Sequence, residues 1–323
     1  MIDKIFHKLK KELPEAQRQV LLKNYTTYKI GGPAKYFFVA KTKDSLIKIL
    51  ELAKTLKLPI FILGGGSNLL ISDKGFNGLV VKVDIHDTKI DGNKAIVGAG
   101  INITKLAYLS AHNGLSGIEW AAGVPGTVGG SIYGNAQAFG TKISEIIESV
   151  EAINTKTLDI KSFTKEECEF SLKNSIFKKN GNLLIISSVL VFKPEGMELI
   201  KCRIKEFLEY RRSKHPMEFP SAGSTFVNPE IEIKDKKLLE KFPELRNFNE
   251  KGIIPSGYLI QKSGLAGKKI GKAQISEKHS NFIINLGSAK AKDVLALIKL
   301  AKKKVKNNFG IDLEPEVQLV GFK

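Results

Sequence analysis

The chain has 323 residues, of which 42% are hydrophobic and 26% are charged, a balance that is typical of folded globular domains and excludes general disorder. Its net charge of +18 comes mainly from lysines spread along the whole sequence, with only five arginines. We therefore interpret the charge as a solvated surface that attracts anionic substrates, with no nucleic-acid partner.

The same composition bounds the architecture and the location of the protein. The length is sufficient for two or three domains, and two cysteines without a CxxC pair exclude a disulfide framework and a structural zinc site, so no metal is predicted. No stretch reaches the ~20 apolar residues of a membrane span. Residues 1–19 are rich in lysine and lack the apolar core of a signal peptide. We expect a cytoplasmic protein with no membrane partner.

Periodic apolar residues predict an alternation of helices and strands along the chain. The predicted helices cover residues 2–16 with an end at Pro14, 44–56, 103–112, 198–214 and 291–307. The predicted strands cover residues 34–40, 59–63, 79–83, 95–97, 149–154, 159–163, 183–192, 281–286 and 311–322. Either Thr42 or Asp44 is expected to cap the second helix. The order indicates a mixed α/β region, a helical connector and a second α/β region.

Two glycine-rich loops in the N-terminal half are the strongest functional signal. The first, Gly64-Gly65-Gly66-Ser67-Asn68, follows a predicted strand, and its bare backbone favours a pyrophosphate cradle, with a plain tight turn as the alternative. It matches neither the P-loop pattern nor the G-x-G-x-x-G dinucleotide pattern. We therefore expect a large nucleotide-type cofactor on a different fold. The loop lacks the histidine that is typical of covalent flavin attachment, so binding is predicted to be non-covalent.

The second loop is Gly123-Val124-Pro125-Gly126-Thr127-Val128-Gly129-Gly130. It lies in a segment with seven glycines between residues 117 and 140, together with Trp120 and Phe139. This apolar and aromatic composition argues against a flexible linker, which would be rich in serine and charge. Close approach of the backbone to a flat, bulky cofactor explains it better.

Local sequence alone does not decide the roles of four polar residues in the C-terminal half. Ser224 lies in a turn with no His or Asp beside it, and Lys214 most simply ends a helix as a favourable cation. His279 could be a surface residue. Glu316 lies in the predicted terminal strand, where alternation places it with Gln318 and Val320. If it were buried, its pKa would be raised and it could donate a proton or hydrogen bond.

Taken together, spaced motifs resemble the UDP-N-acetylenolpyruvoylglucosamine reductase family, flavoenzymes of peptidoglycan precursor synthesis. The matching segments follow one another from residue 26 to the C-terminus: residues 28–34, 63–70, 117–130, 174–178, 222–229 and 313–317. The resemblance implies an α+β fold, with a two-lobed FAD-binding region of the vanillyl-alcohol-oxidase type and a C-terminal α/β substrate domain. It implies lobe 1 at residues 1–82, lobe 2 at 83–215 and 311–323, and the substrate domain at 216–310. The chain is similar to the subclass that lacks an extra tyrosine-bearing loop.

The resemblance also implies the chemistry. NADPH reduces non-covalently bound FAD, and UDP-N-acetylglucosamine enolpyruvate is then reduced to UDP-N-acetylmuramate by a monomeric cytoplasmic enzyme. The serine at Ser224 would act as the general acid, with Glu316 and the residue at 173 stabilising the developing negative charge. Lys214, Asn228 and His279 fall at positions that contact the substrate. The FAD contacts fall at Gly64, Gly65, Gly66, Ser67, Asn68, Val124, Pro125, Gly126, Gly129 and Gly130.

Two positions depart from the family pattern. The usual arginine of Tyr-Arg-x-Ser-x-Phe is Lys173, which keeps the charge but loses the two-pronged grip on a carboxylate. Gln137 stands where the family has glycine. These departures leave a second function open, a FAD-dependent oxidase or dehydrogenase of the same fold that acts on another substrate.

Overall fold

The computed structural model describes residues 3–322. Ile2, the first apolar position of the predicted N-terminal helix, therefore lies outside the described residues. The described helices are α1 (Lys4–Glu12), α2 (Lys43–Thr55), α3 (Ile103–His112), α4 (Val128–Tyr133), α5 (Ile176–Lys179), α6 (Met197–Lys214), α7 (Lys236–Lys241), α8 (Glu244–Glu250), α9 (Ser256–Lys262) and α10 (Ala291–Phe309).

The described strands have two to nine residues and are distributed over the whole chain. They are β1 (Gln17–Leu21), β2 (Pro33–Ala40), β3 (Ile60–Leu63), β4 (Leu69–Ile71), β5 (Phe76–Val83), β6 (Thr88–Asp91), β7 (Lys94–Gly98), β8 (Leu115–Ser116), β9 (Gln137–Ala138), β10 (Thr141–Lys142), β11 (Ile147–Asn154), β12 (Ile160–Thr164), β13 (Leu183–Val191), β14 (Lys193–Pro194), β15 (Lys269–Ile270), β16 (Ala273–Ile275), β17 (Ile283–Asn285) and β18 (Gln318–Val320).

The chain divides into two compact units and passes between them several times. Unit 1 comprises the residues up to Leu21, then Pro33–Gly66 and Phe76–Arg211. Unit 2 comprises Leu22–Gly32, Ser67–Gly75 and the residues from Arg212 onward. The three domain ranges that the resemblance implies stay a prediction.

Unit 1 contains two main sheets. One has the order β1-β2-β5-β3, in which β2 and β3 run parallel to β5, and the other is antiparallel with the order β12-β11-β13-β7-β6. Helix α2 begins as predicted at Thr42, whose hydroxyl accepts a hydrogen bond from the Ser45 N–H at 3.1 Å. Its buried residues are the predicted apolar face: Leu46, Ile49, Leu50 and Ala53. This helix covers β2 and β5 and closes one side of the core.

Unit 2 is built around α10 and the small antiparallel sheet β15-β16-β17. Apolar residues at helical spacing, including Val294, Leu297 and Ile298, bury one face of α10 in the core of this unit. Gly310 ends the helix with a φ of +72°, the left-handed conformation that glycine adopts without strain. Parallel pairing joins β18 to β4.

The predicted terminal strand over residues 311–322 was wrong in its extent, because only Gln318–Val320 forms a strand. Pro315 has no N–H to donate to a ladder. The backbone around it pairs elsewhere: the Val227 N–H donates to Glu314 O at 2.9 Å and the Glu316 N–H to Thr225 O at 2.8 Å. Glu316 therefore precedes the strand, and the expected alternation with Gln318 and Val320 does not apply to it.

The tight approach of two unit 2 segments at Gly32 generates a first prediction. A Cβ atom at Gly32 would lie 2.2 Å from Asp73 O, while the Gly32 N–H holds Ser72 O at 2.9 Å. Gly32→Ala should therefore lower the free energy of unfolding by about 1–3 kcal/mol or more, measured by urea denaturation. The control is Gly181→Ala, where an added Cβ meets nothing within 4 Å. Equal stability of the two variants would contradict the packing argument.

Candidate active-site residues

Glycines of the two loops lie against each other in unit 1, to which Gly64–Gly66 and the second loop belong. A Cβ atom on Gly65 would lie 2.6 Å from the Cα of Gly126, and one on Gly64 would lie 2.9 Å from Thr127 Oγ1. Side chains at these positions would force the loops apart, because real Cβ atoms do not approach so closely. Glycine is thus required here for the approach of one backbone to another.

The backbone N–H groups of the two loops differ in what they bind. In the part of the chain that the structure describes, no hydrogen bond uses the N–H groups of Gly65 and Gly66. By contrast, the Gly129 N–H donates to Ala99 O at 2.9 Å and the Gly130 N–H to Thr127 Oγ1 at 3.3 Å. The first loop can therefore offer donors to an anion, whereas Gly129 and Gly130 mainly allow close packing.

Helix α6 holds the segment that leads into the second loop. Arg211 is buried, and its Nε and Nη2 atoms donate to the carbonyl oxygens of Ala122 at 3.1 Å and Trp120 at 2.8 Å. Burial lowers the pKa of the Arg211 guanidinium. Gly123 has a φ of +76°, and a Cβ on it would lie 2.9 Å from Leu208 Cδ2. The helix and the loop therefore constrain each other.

Two turns earlier on α6, an ion-pair network holds the same segment. Arg203 Nη2 donates to Glu119 Oε1 at 2.8 Å, and its Nη1 donates to Glu195 Oε1 at 2.8 Å. Burial raises the pKa of Glu119, but hydrogen bonds from backbone N–H groups, Arg203 and Ser116 outweigh it, and the pKa lies below its ordinary value. Hydrogen bonds from Arg203 and Ser116 lower the pKa of Glu195 to about 2.

Lys173 lies on a short turn of unit 1 that a bridge between Ser171 and Asn174 closes. Its φ is +54°, and its carbonyl oxygen accepts a hydrogen bond from Lys178 Nζ at 2.8 Å. The turn is tied to the residues that follow the second loop, since Asn135 Nδ2 donates to Ser171 O at 2.9 Å. The buried Oδ1 atom of Asn135 has no hydrogen-bond partner among the described residues.

In unit 2, three backbone segments bring together Asn68, Ser224 and Glu316. Ser224 forms an antiparallel bridge with Phe282, and the next residue, Thr225, accepts the Glu316 N–H at 2.8 Å. Asn68 Nδ2 donates to Glu316 O at 3.0 Å. Ser224 and Glu316 are both half-buried, and no hydrogen bond within residues 3–322 uses the Ser224 hydroxyl. The serine hydroxyl is thus available to a ligand.

Asn281 organises this region and was not assigned a role from the sequence. Its buried side chain accepts the Phe226 N–H at 3.0 Å and donates to Phe226 O at 2.9 Å. The Asn281 N–H in turn donates to His279 Nδ1 at 3.2 Å. Burial lowers the pKa of His279, so the ring is neutral near pH 7 with its proton on Nε2.

The remaining two predicted substrate residues are more exposed. Lys214 ends α6 and is exposed, next to His215, whose ring lies 5.1 Å from that of Phe282 and 5.5 Å from that of His279. Asn228 is exposed, and its Oδ1 accepts the Ser256 N–H at 2.9 Å at the start of α9. The Oδ1 atom of Asn228 therefore has a structural role at the start of this helix.

Comparison with known proteins identifies the family of the chain. Residues 34–157 match a model described as a FAD binding domain, and residues 215–320 match the C-terminal domain of UDP-N-acetylenolpyruvoylglucosamine reductase. The chain belongs to the UDP-N-acetylenolpyruvoylglucosamine reductase family. It is 37% identical to the Clostridium novyi protein of that name over 308 residues, with 95% of this chain and 92% of that protein covered. Identity to the Caldanaerobacter subterraneus protein is 36%, with 100% of both chains covered.

A solved structure of a family member has the same fold. UDP-N-acetylenolpyruvylglucosamine reductase from Thermus caldophilus superposes with a TM-score of 0.74 at 30% identity, covering 94% of this chain and 98% of that one. The predicted fold class, an FAD-binding region followed by a reductase C-terminal domain, is confirmed. FAD as the cofactor is confirmed as well. Two features fit FAD: the close approach of the glycine backbones at Gly65 and Gly126, and the buried Asn135 Oδ1, which has no hydrogen-bond partner among the described residues.

Two further observations concern metal binding and membrane spanning. No group of three or more His, Cys, Asp or Glu side chains among the described residues could hold a metal ion. Over the same residues, none of the helices is both long and apolar enough to span a bilayer.

The Arg203 network generates the second prediction. Arg203→Met leaves the buried Glu119 carboxylate without its cation, so its pKa should rise and the free energy of unfolding should fall by about 1–3 kcal/mol near pH 7. A lowered carboxyl pKa stabilises the fold above the unfolded-state value and loses this effect as the pH falls. The difference from the parent, measured by urea unfolding, should therefore shrink as the pH drops below 4.5.

The matched control is Lys201→Met, which removes the exposed Lys201–Glu198 pair from the same helix. That pair should contribute at most about 0.2–1 kcal/mol. A loss of stability in Arg203→Met that is no larger than in the control, or that does not change with pH, would contradict the role given to Glu119.

Proposed function

We propose that this chain reduces the enolpyruvyl ether of UDP-N-acetylglucosamine to UDP-N-acetylmuramate, with FAD as bound cofactor and NADPH as electron donor, in peptidoglycan precursor synthesis. The observation that carries the proposal is full-length similarity to reductases of that name, together with two adjoining glycine loops in the FAD-binding part. We further propose that it acts in the cytoplasm as a monomer, without a nucleic-acid partner.

The two loops would hold FAD by their backbones. Gly64–Asn68 would bind the pyrophosphate, because the N–H groups of Gly65 and Gly66 are unused and a glycine-rich turn forms an anion-binding concavity. Residues 123–130, including Val124, Pro125, Gly126, Gly129 and Gly130, would pack against the flavin. Bound FAD, after reduction by NADPH, would supply the hydride for the terminal carbon of the enolpyruvyl group.

Ser224 would then supply the proton. Addition of hydride to the terminal carbon leaves negative charge on the carbon beside the substrate carboxylate, and a positioned hydroxyl can protonate that carbon. The Ser224 hydroxyl, which no hydrogen bond uses within the described residues, suits this role, and the bridge to Phe282 holds its backbone in place. Lys173 as a cation, and Glu316 as a carboxylic acid that donates a hydrogen bond, would stabilise the developing charge.

The proposed substrate contacts carry different kinds of donor. Lys214 offers a flexible cation for the diphosphate, and Asn228 offers its amide nitrogen, since its oxygen binds Ser256. His279 is neutral near pH 7 and donates through Nε2, because Nδ1 accepts from Asn281. The domain ranges 1–82, 83–215 with 311–323, and 216–310 remain part of this proposal.

The experiment that tests the function follows the flavin spectrum of the purified protein. NADPH should bleach the visible flavin band, and the enolpyruvyl nucleotide should restore it without oxygen. Bleaching that only oxygen or another substrate reverses would overturn the assignment and favour an oxidase or dehydrogenase of the same fold.

Replacement of Ser224 provides the third prediction. Ser224→Ala should leave bleaching by NADPH unchanged and slow reoxidation by the enolpyruvyl nucleotide by about 10²–10⁴-fold, because the proton donor is lost. Stopped-flow absorbance separates the two half-reactions. Ser221→Ala, in the same loop, is the control and should reoxidise within a few-fold of the parent. Reoxidation of Ser224→Ala at the parent rate would refute the general-acid role.

The lysine at position 173 provides the fourth prediction. If Lys173 supplies charge without bidentate geometry, Lys173→Arg should speed the reoxidation step, because a well-placed donor contributes roughly 2.7–4 kcal/mol and lysine recovers only part of it. The control is Lys179→Arg on α5, whose exposed side chain pairs with Glu169 at 2.9 Å. An unchanged rate in Lys173→Arg would contradict the idea of a weakened site.

A further inference from the structure

Arg211 is a buried cation that no predicted function uses. It is 8% exposed, and it contacts two carbonyl oxygens and the ring of Phe139, whose centroid lies 5.1 Å from the guanidinium carbon. A charge out of water costs several kcal/mol unless polar groups satisfy it, and an apolar residue of similar size often stabilises such a position at least as well. A role beyond packing is therefore needed to explain an arginine at this position.

The two carbonyl groups that Arg211 binds belong to the turn that enters the second glycine loop. They lie two residues apart, on Trp120 and Ala122, so one guanidinium sets the orientation of two peptide planes. The chain then turns at Gly123 with a φ of +76° and reaches Gly126, which lies against Gly65. A rotation of the peptide planes at residues 120–122 would therefore move the backbone of Gly126, four residues after Ala122, and change its contact with Gly65.

A strained hairpin covers the same guanidinium. The turn of β9 and β10 has Phe139 at a φ of +54° and Gly140 at +80°. A bulky side chain in this conformation is an outlier, which costs of order 1–3 kcal/mol. Contacts of the Phe139 ring with Phe207 at 4.4 Å and Tyr210 at 5.2 Å offset that cost. Arg211 itself is buried, and hydrogen bonds are stronger in the low dielectric of a protein interior than in water.

We propose that Arg211 is a positioning residue for FAD binding, which acts by fixing the carbonyl groups of Trp120 and Ala122 and so the course of residues 123–126. The inference rests on the proposed contact of these residues with the flavin. Lysine cannot replace Arg211 fully, because it lacks the planar fork that reaches two carbonyl oxygens at once.

The test measures FAD affinity and the conformation of the loop separately. The holoprotein is diluted and the released FAD is measured by its fluorescence, which yields the dissociation constant. Trp120 is the only tryptophan of the chain and is buried, so its emission in the full-length protein stripped of FAD reports on the turn itself.

Arg211→Met should raise the FAD dissociation constant at least tenfold and shift the Trp120 emission to longer wavelength. Arg211→Lys should give an intermediate value of both, and it carries the test if Arg211→Met does not fold. The control is Arg212→Met, which removes the same charge from an exposed neighbouring position and should leave both readouts within twofold of the parent.

The outcomes separate the inference from the proposed function. FAD affinity within twofold of the parent in both Arg211 variants overturns the inference, as does equal weakening in Arg212→Met. Gly126→Ala tests the proposed flavin contact itself. If Gly126→Ala weakens FAD binding and the Arg211 variants do not, only the positioning role fails; if Gly126→Ala has no effect, the proposed contact fails, and the inference with it.

Discussion

The approach of Gly65 to Gly126, backbone against backbone, is the constraint on which the arrangement of unit 1 depends. A single methyl group would already overlap at this point, since the nearest Cα lies 2.6 Å from the position of a Cβ. Two loops that are separated by sixty residues of sequence therefore become one surface. The N–H groups of Gly65 and Gly66 have no hydrogen-bond partner among the described residues, and the family to which the chain belongs binds FAD.

That contact requires support from outside the loops, because glycine segments lack side chains to hold a conformation. Helix α6 provides it at two levels. Arg203 uses opposite charge on Glu119 and Glu195, an arrangement that stabilises the fold in the usual way. Arg211 contacts neutral carbonyl groups and an aromatic ring. These contacts fix the orientation of two peptide groups more than they stabilise the fold. The two arginines thus divide stability and positioning between them.

In unit 2, hydrogen bonds hold a segment that lies outside regular secondary structure. The segment at residues 224–227 has no regular partner strand, and its backbone is shared between Asn281 on one side and residues 314–316 on the other. The buried Asn281 side chain satisfies both polar groups of Phe226, as a strand neighbour would. This arrangement leaves the Ser224 hydroxyl without a partner in the described chain while its backbone is held firmly.

The sequence alone predicted the five longest helices, the family and the two loops, because apolar periodicity and glycine runs are local signals. It missed the five helices of four to seven residues, which are too short to show a clear apolar period. Helix α3 has the predicted bounds, and the buried face of α2 is the predicted one. Tertiary structure alone decided that Gly65 meets Gly126 and that Arg211 and Asn281 organise their loops. These features depend on contacts between residues more than fifty positions apart, which leave no pattern in a local window.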